Sequence, residues 1–268
     1  MTHLTPLVVT EELLNPVGTL AAPRMLAAAY RAVRAALRDS GLSEMTLVGY
    51  TAEFKEGARE GDTVNVALAE VTGLWPGDHA FQVLFSKGGD TTGRVGKWLM
   101  TFAEKHETRP LPYDITHALA DGLTDRELWQ AEPIVATGDE ERDVQRILWP
   151  IGQSARAYMK QLDLAFATHP GVTCVDEVPQ RIYAGIAVTV HLSRWPSKDQ
   201  EIRCALHLQR PLQDQPKSKR MEFPGVLVSQ EGSGTSLLGT CRFTVSRLSC
   251  NRVPVYGDGT KEPRGKEN

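Results

Sequence analysis

The sequence predicts an α+β protein in which one pattern, a long helix followed by an antiparallel meander, is written twice in tandem. Three observations carry this expectation. Adding 127 to the residue number superposes Val8 on Val135, Thr10 on Thr137, Val17 on Val144, Pro23 on Pro150 and Ala28 on Ala155 without a gap. The same offset sets Glu12 against Asp139. In each half an apolar stripe at helical spacing is followed by four strand-like runs, most of which alternate with period two.

In the first half, Leu26, Ala29, Tyr30, Val33 and Leu37 recur at helical spacing. Pro23 suits the first turn, and Gly41 suits a carboxyl-terminal stop. Val48, Tyr50, Ala52 and Phe54 then alternate, as do Val64, Val66 and Leu68, then Phe81, Val83 and Phe85, and finally Trp98, Met100 and Phe102. Turn signals separate them at Arg59–Asp62, Trp75–Asp78 and Lys87–Asp90.

The second half repeats the order. Ile151, Ala155, Tyr158, Met159, Leu162 and Phe166 predict a helix ended by His169-Pro170-Gly171. Ile182, Ala184, Ile186, Val188, Val190 and Leu192 form the longest alternation in the chain. Ile202 to Leu208, Phe223 to Ser229 and Leu237 to Val245 complete the meander. The expected units are residues 1–104 and 133–250, with a connector over 105–132 and a disordered tail over 251–268. Each helix needs an apolar partner and each sheet has a face to cover, so each helix should lie against its sheet.

With 41% hydrophobic and 24% charged residues, the chain reads as an ordinary soluble globular protein. The formal charge of -3 supplies no basic footprint for nucleic acid. No run approaches the roughly 18 to 20 apolar residues of a membrane span. Met1 to Val9 lacks a secretory pattern, so a cytoplasmic location is expected. Cys174, Cys204, Cys241 and Cys250 show no metal or redox spacing and are expected to be structural. There is no Gly-x-Ser-x-Gly elbow and no His-Glu-x-x-His helix, and no metal or cofactor is expected.

Two short motifs point to a family. Asn15-Pro16-Val17-Gly18-Thr19-Leu20 enters the first helix, and Arg59-Glu60-Gly61-Asp62-Thr63-Val64 opens a strand. Both resemble hotdog-fold acyl thioesterases, in which a long helix is wrapped by a curved antiparallel sheet. Two copies in one chain would be similar to a double hotdog, standing in for a dimer of single units. The resemblance implies hydrolysis of an acyl thioester on coenzyme A or an acyl carrier protein, at a cleft between units. It leaves room for a homodimer of such double units. A second resemblance is to the dehydratase domains of polyketide synthases, which are also double hotdogs. Gly18 and Pro23 fit their first motif, but Leu14 stands at the His position and Ser154 at the Asp position. That alternative implies an isomerase, a cyclase or a non-catalytic acyl-chain binder.

Thioester hydrolysis needs a base or nucleophile near the carbonyl and donors for the developing oxyanion. Helix amino ends supply free N–H groups. Glu11 and Glu12 precede the first expected helix, and Asp139, Glu140, Glu141 and Asp143 precede the second. The candidate catalytic residues are therefore Glu12 or Asp139 as base, with Asn15 orienting water or the carbonyl. Gly18, Thr19 and Arg24 are the candidate substrate-binding residues. Acids before a helix also serve as caps and dipole partners. Arg31, Arg34 and Arg38 share one helix face, either a solvated face or a docking stripe for phosphates or an acidic carrier. Tyr50, Trp75, Trp98, Trp149 and Tyr158 either line an acyl tunnel or fill the core.

Overall fold

The amphipathic run after Leu20 folds as helix α1 (Ala22–Asp39), with Pro23 in its first turn as expected. In the computed structural model, residues 2–15, 18–88, 95–105, 108–111, 128–130, 132–148, 150–152, 181–207, 220–231 and 234–249 are described. Met25, Leu26, Ala29, Tyr30, Val33 and Leu37 bury one stripe of α1. Gly41 ends it with φ 75. Its N–H reaches the Arg38 carbonyl while Leu42 N–H reaches that of Leu37, which satisfies two orphan carbonyls of the last turn.

Among the described residues, twelve strands form one antiparallel sheet around this core: β1 (Thr2–His3), β2 (Leu7–Val8), β3 (Met45–Phe54), β4 (Thr63–Thr72), β5 (His79–Lys87), β6 (Gly96–Glu104), β7 (Leu128–Gln130), β8 (Ile134–Val135), β9 (Arg181–Leu192), β10 (Glu201–His207), β11 (Arg220–Glu231) and β12 (Gly234–Ser249). Their order is β1-β4-β5-β6-β3-β9-β12-β11-β10-β7, with β2 beside β4 and β8 beside β10. The sequence β4-β5-β6-β3 thus recurs as β10-β11-β12-β9, and the two sets meet where β3 pairs with β9.

The 127 offset holds at the chain's entry into each half. Val8 pairs with Thr63 at the start of β4, and Val135 pairs with Glu201 at the start of β10. It fails after that. Residues 140–148 and 150–152 are helical (α2), so the second helix starts well before the Pro150 position that the offset implies. Pro150 lies inside the helical run, whereas Pro23 opens one. Asp139-Glu140-Glu141 gives the physical reason: Asp139 Oδ1 accepts the Arg142 N–H at 3.2 Å, capping the helix there. The buried side of α2 carries Val144, Ile147 and Ile151, which join the same core as α1. The expected helix face from Ala155 onward, Trp149, most of the connector and the tail lie outside the described residues.

A second correction concerns the alternation of the two central strands. Val48 is an extra residue in β3 opposite β6, and Ile186 is one in β9 opposite β12. Each is a β-bulge, which resets which residues face the core. Leu47, Tyr50 and Ala52 face the core while Val48 does not join it, and among the described side chains of β9 the core residues are Val188, Val190 and Leu192. Val48 and Ile186 stand 138 apart, the separation of Thr51 from Thr189 at the centre of the junction.

The Gly61-Asp62 turn is built by local charge. Gly61 has φ 82, Asp62 Oδ2 accepts the Arg59 N–H at 2.7 Å, and Lys87 pairs with the same oxygen at 2.7 Å. The Arg59 N–H, then the Lys87 ammonium, hold the Asp62 carboxyl below its usual range. A depressed value stabilises the fold above the unfolded pKa of about 3.9 and ceases to do so as pH falls through the folded value. Asp62→Asn should cost less than about 1 kcal/mol at pH 7, since the pair is part-exposed. In urea titrations that difference should shrink below about pH 4.

Candidate functional site

Four acids within five residues at the start of α2 take four different roles. Asp143 points inward, 1% exposed. It accepts the Thr137 N–H at 2.9 Å to each oxygen, the Thr137 hydroxyl at 2.8 Å and the Gly138 N–H at 3.0 Å. Glu140 reaches across to the first half, where its carboxylate accepts the Thr46 hydroxyl at 2.9 Å and the Leu47 N–H at 3.1 Å. Glu141 pairs with Arg31 of α1 at 3.1 Å. Asp139, exposed, caps the helix. These acids lie on or at the first turn of α2 rather than in a loop before it.

Between α1 and this turn lies a cleft of about 300 Å³, lined by Tyr30, Arg31, Arg34, Arg38, Ser43, Asp139, Glu140 and Glu141. Tyr30 is buried at its base and hydrogen-bonds to Glu140. Burial, then the charge of Glu140, push its hydroxyl pKa well up, with Arg34 opposing. The Arg34 guanidinium lies 5.9 Å from the Tyr30 ring centroid and donates to the Met45 carbonyl. The cleft therefore combines a helix amino end, a capping carboxylate with unspent acceptor sites and three guanidinium groups.

The other expected residues gather at the opposite end of α1. Asn15, Gly18 and Thr19 form one closed loop. Asn15 Nδ2 donates to Thr19 Oγ1 at 2.8 Å, and Thr19 N–H donates to Asn15 Oδ1 at 3.1 Å. Gly18 has φ 73, which favours glycine there. Leu20 N–H anchors the loop on the Ala58 carbonyl at 2.7 Å. Arg24 is exposed in the first turn of α1, and Glu12 is exposed on a single turn at Glu11–Leu13. From Arg24 to Arg34 is ten residues, about 15 Å of helix, so this loop and the cleft are separate places. Asp139 caps its helix, whereas the residue in the corresponding position before α1 is Ala21. Glu12 and Asp139 are thus not structural counterparts, because the first half inserts a longer loop. Leu14 bridges to Leu20 and packs against the core. Pro16, Val17, Ser154 and Tyr158 lie outside the described residues.

Sequence reasoning missed Glu140 as the tie between the halves. Its Asp-Glu-Glu context reads as a helix start, but no sequence signal names Thr46 and Leu47 as its partners. Among the described residues no group of three potential metal ligands occurs, and no helix is long and apolar enough to cross a membrane.

An antiparallel sheet of this order wrapped against helices is the hotdog fold. The chain is similar to the 12:0-ACP thioesterase of Umbellularia californica, with TM-score 0.56 and 8% identity over 91% of this chain and 96% of that one. It is also similar to an acyl-ACP thioesterase of Bacteroides thetaiotaomicron, with TM-score 0.52 and 11% identity over 91% and 96% of the two chains. Identity this low establishes likeness of fold alone. No protein-family model and no curated protein sequence matches the chain.

Asp143→Ala should destabilise the protein by about 3 kcal/mol in chemical denaturation, since it orphans the Thr137 and Gly138 donors. Thr137→Val should cost less, because it removes the hydroxyl's bonds to Asp143 and from the Asp139 N–H but leaves the backbone donors bound to Asp143.

Proposed function

We propose that the protein hydrolyses an acyl thioester, carried on coenzyme A or an acyl carrier protein, in the cleft between α1 and the amino end of α2. The observation that carries this reading is the cleft itself, where Asp139 and the first turn of α2 face the arginines of α1 within a thioesterase-type fold. In this reading residues 1–104 and 133–250 are two tandem hotdog units, a pseudo-dimer within one chain, and the cleft lies at their junction.

Asp139 acts as general base on a water held in the cleft. That water attacks the thioester carbonyl, the oxyanion is held by N–H groups of the first turn of α2, and the thiol leaves with the proton. Capping uses one acceptor position of Asp139 and leaves others for water. Arg34 and Arg38 receive the carrier's phosphates, and Arg31 does so through its shared pair with Glu141. Asn15, Gly18, Thr19 and Arg24 form a second acyl-thioester contact at the amino end of α1. Asn15 serves there as a positioning group, because its amide is already closed on Thr19. Glu12, exposed on its turn, is the weaker choice of base.

Free-thiol release from short, medium, aromatic and long acyl-CoA and acyl-pantetheine substrates tests this. Asp139→Asn should lower kcat/KM by about a hundredfold or more, as loss of a general base does, while Glu12→Gln leaves it unchanged. Silence across the panel, or full turnover in folded Asp139→Asn protein, would contradict the proposal.

A further inference from the structure

The core beneath the junction of the two halves holds polar groups that packing alone does not need. Tyr50 on β3 is 3% exposed and Trp98 on β6 is 0% exposed, and neither the Tyr50 hydroxyl nor the Trp98 indole N–H has a hydrogen-bond partner. Their rings adjoin, with centroids 5.8 Å apart. A buried donor without a partner costs about 1–3 kcal/mol, and Phe would fill the Tyr50 site without that cost. On the far side of Tyr50, Val190 of β9 and Cys241 of β12 continue the same cross-strand row. Cys204 and Cys241 are buried with their sulfurs 3.7 Å apart, and the Tyr50 hydroxyl bonds to neither.

We propose that Tyr50 and Trp98 form a subsite for a carbonyl oxygen in the ligand's acyl chain, so that the protein selects oxoacyl over unsubstituted chains. It rests on the acyl-ligand part of the function proposed above and does not require hydrolysis. The chemistry selects the class. An indole N–H only donates, a phenol donates readily, and thiols are weak acceptors. A carbonyl oxygen has lone pairs for both donors and no hydrogen of its own left to satisfy. A buried water would bring two hydrogens into a place with few acceptors, and ordered internal waters make about three bonds. A carboxylate would need a cation, and the neighbours of Tyr50 along its row are Met100, Val190 and Cys241. Burial keeps the phenol protonated, since desolvation first and the two cysteines after it raise its pKa well above the ordinary range. Geometry sets the position. Glu140 lines the cleft and accepts the Leu47 N–H, and Tyr50 lies three residues along β3 from Leu47, about 10 Å away. The carbonyl then falls several carbons beyond the thioester. The bulge at Val48 is what turns Tyr50 to the core face together with Leu47.

The test is calorimetric binding of decanoic, 5-oxo-, 7-oxo- and 9-oxodecanoic acids to the full chain, which reads selection without any hydrolytic step. At least one oxo acid should bind about tenfold tighter than decanoic acid, the value of roughly one buried hydrogen bond. Tyr50→Phe should erase that preference and hold or raise the melting temperature of the ligand-free protein. Trp98→Phe should weaken the preference as well. Equal binding of all four acids, no binding of any, or a preference that survives in both variants would overturn the subsite. So would a Tyr50→Phe protein that melts lower, because the hydroxyl would then be serving the fold. Loss of thiol release with the oxo preference intact would sink only the hydrolytic reading.

Discussion

Pairing of β3 with β9 is the constraint on which the rest of the molecule depends. Gly49 to Glu53 run antiparallel to His191 to Ala187, and the Thr51 and Thr189 hydroxyls meet at 3.3 Å in the middle. Without this seam β3 and β9 would each be an edge, with unpaired backbone groups open to other chains. With it, the described strands share one sheet, and the buried faces of α1 and α2 belong to one core. The bulges at Val48 and Ile186 flank the seam at matching positions. Just beyond the paired segment, Thr46 and Leu47 are free to hold Glu140, so the seam that joins the halves also fixes the cleft beside it.

Local electrostatics then differentiates residues that look alike. A helical residue is rotated by about 100° from the one before it, so consecutive acids face different surroundings. Asp143 meets the N–H groups of the Thr137–Gly138 turn, Glu140 meets β3 and Tyr30, Glu141 meets Arg31, and Asp139 caps the helix. Three of the four are spent on architecture, and they hold the fourth at a defined place in the cleft. The asymmetry between halves follows from chain length. The first half spends its extra residues before α1 on the Asn15–Thr19 loop, while the second enters α2 almost directly from β8.

Much of this was legible in the residues, and the failures have physical causes. Apolar spacing located α1, because Pro23 and Gly41 punctuate it, period-two runs located six of the meander strands, and two shorter runs fell within β11 and β12. The start of the second helix was set too late because Pro150 matches Pro23 by offset, whereas the Asp139 cap sets it before Glu140. The bulges were invisible because Val48 and Ile186 are apolar residues in apolar strands, and only cross-strand register reveals the extra residue. Asn15, Gly18 and Thr19 share one loop simply because they are close in sequence. The placing of Asp139 against α1 depends on contacts across more than a hundred residues, of the kind that Glu141 makes with Arg31, and these leave no local trace.

A structure of the protein with a non-hydrolysable thioether analogue of decanoyl-CoA tests the central claim most directly. The account predicts the thioether sulfur beside Asp139 at the amino end of α2, the phosphates against Arg34 and Arg38, and the chain running inward past Leu47 toward Tyr50. A thioether bound at the Asn15–Thr19 loop, with the α2 cleft empty, would contradict it.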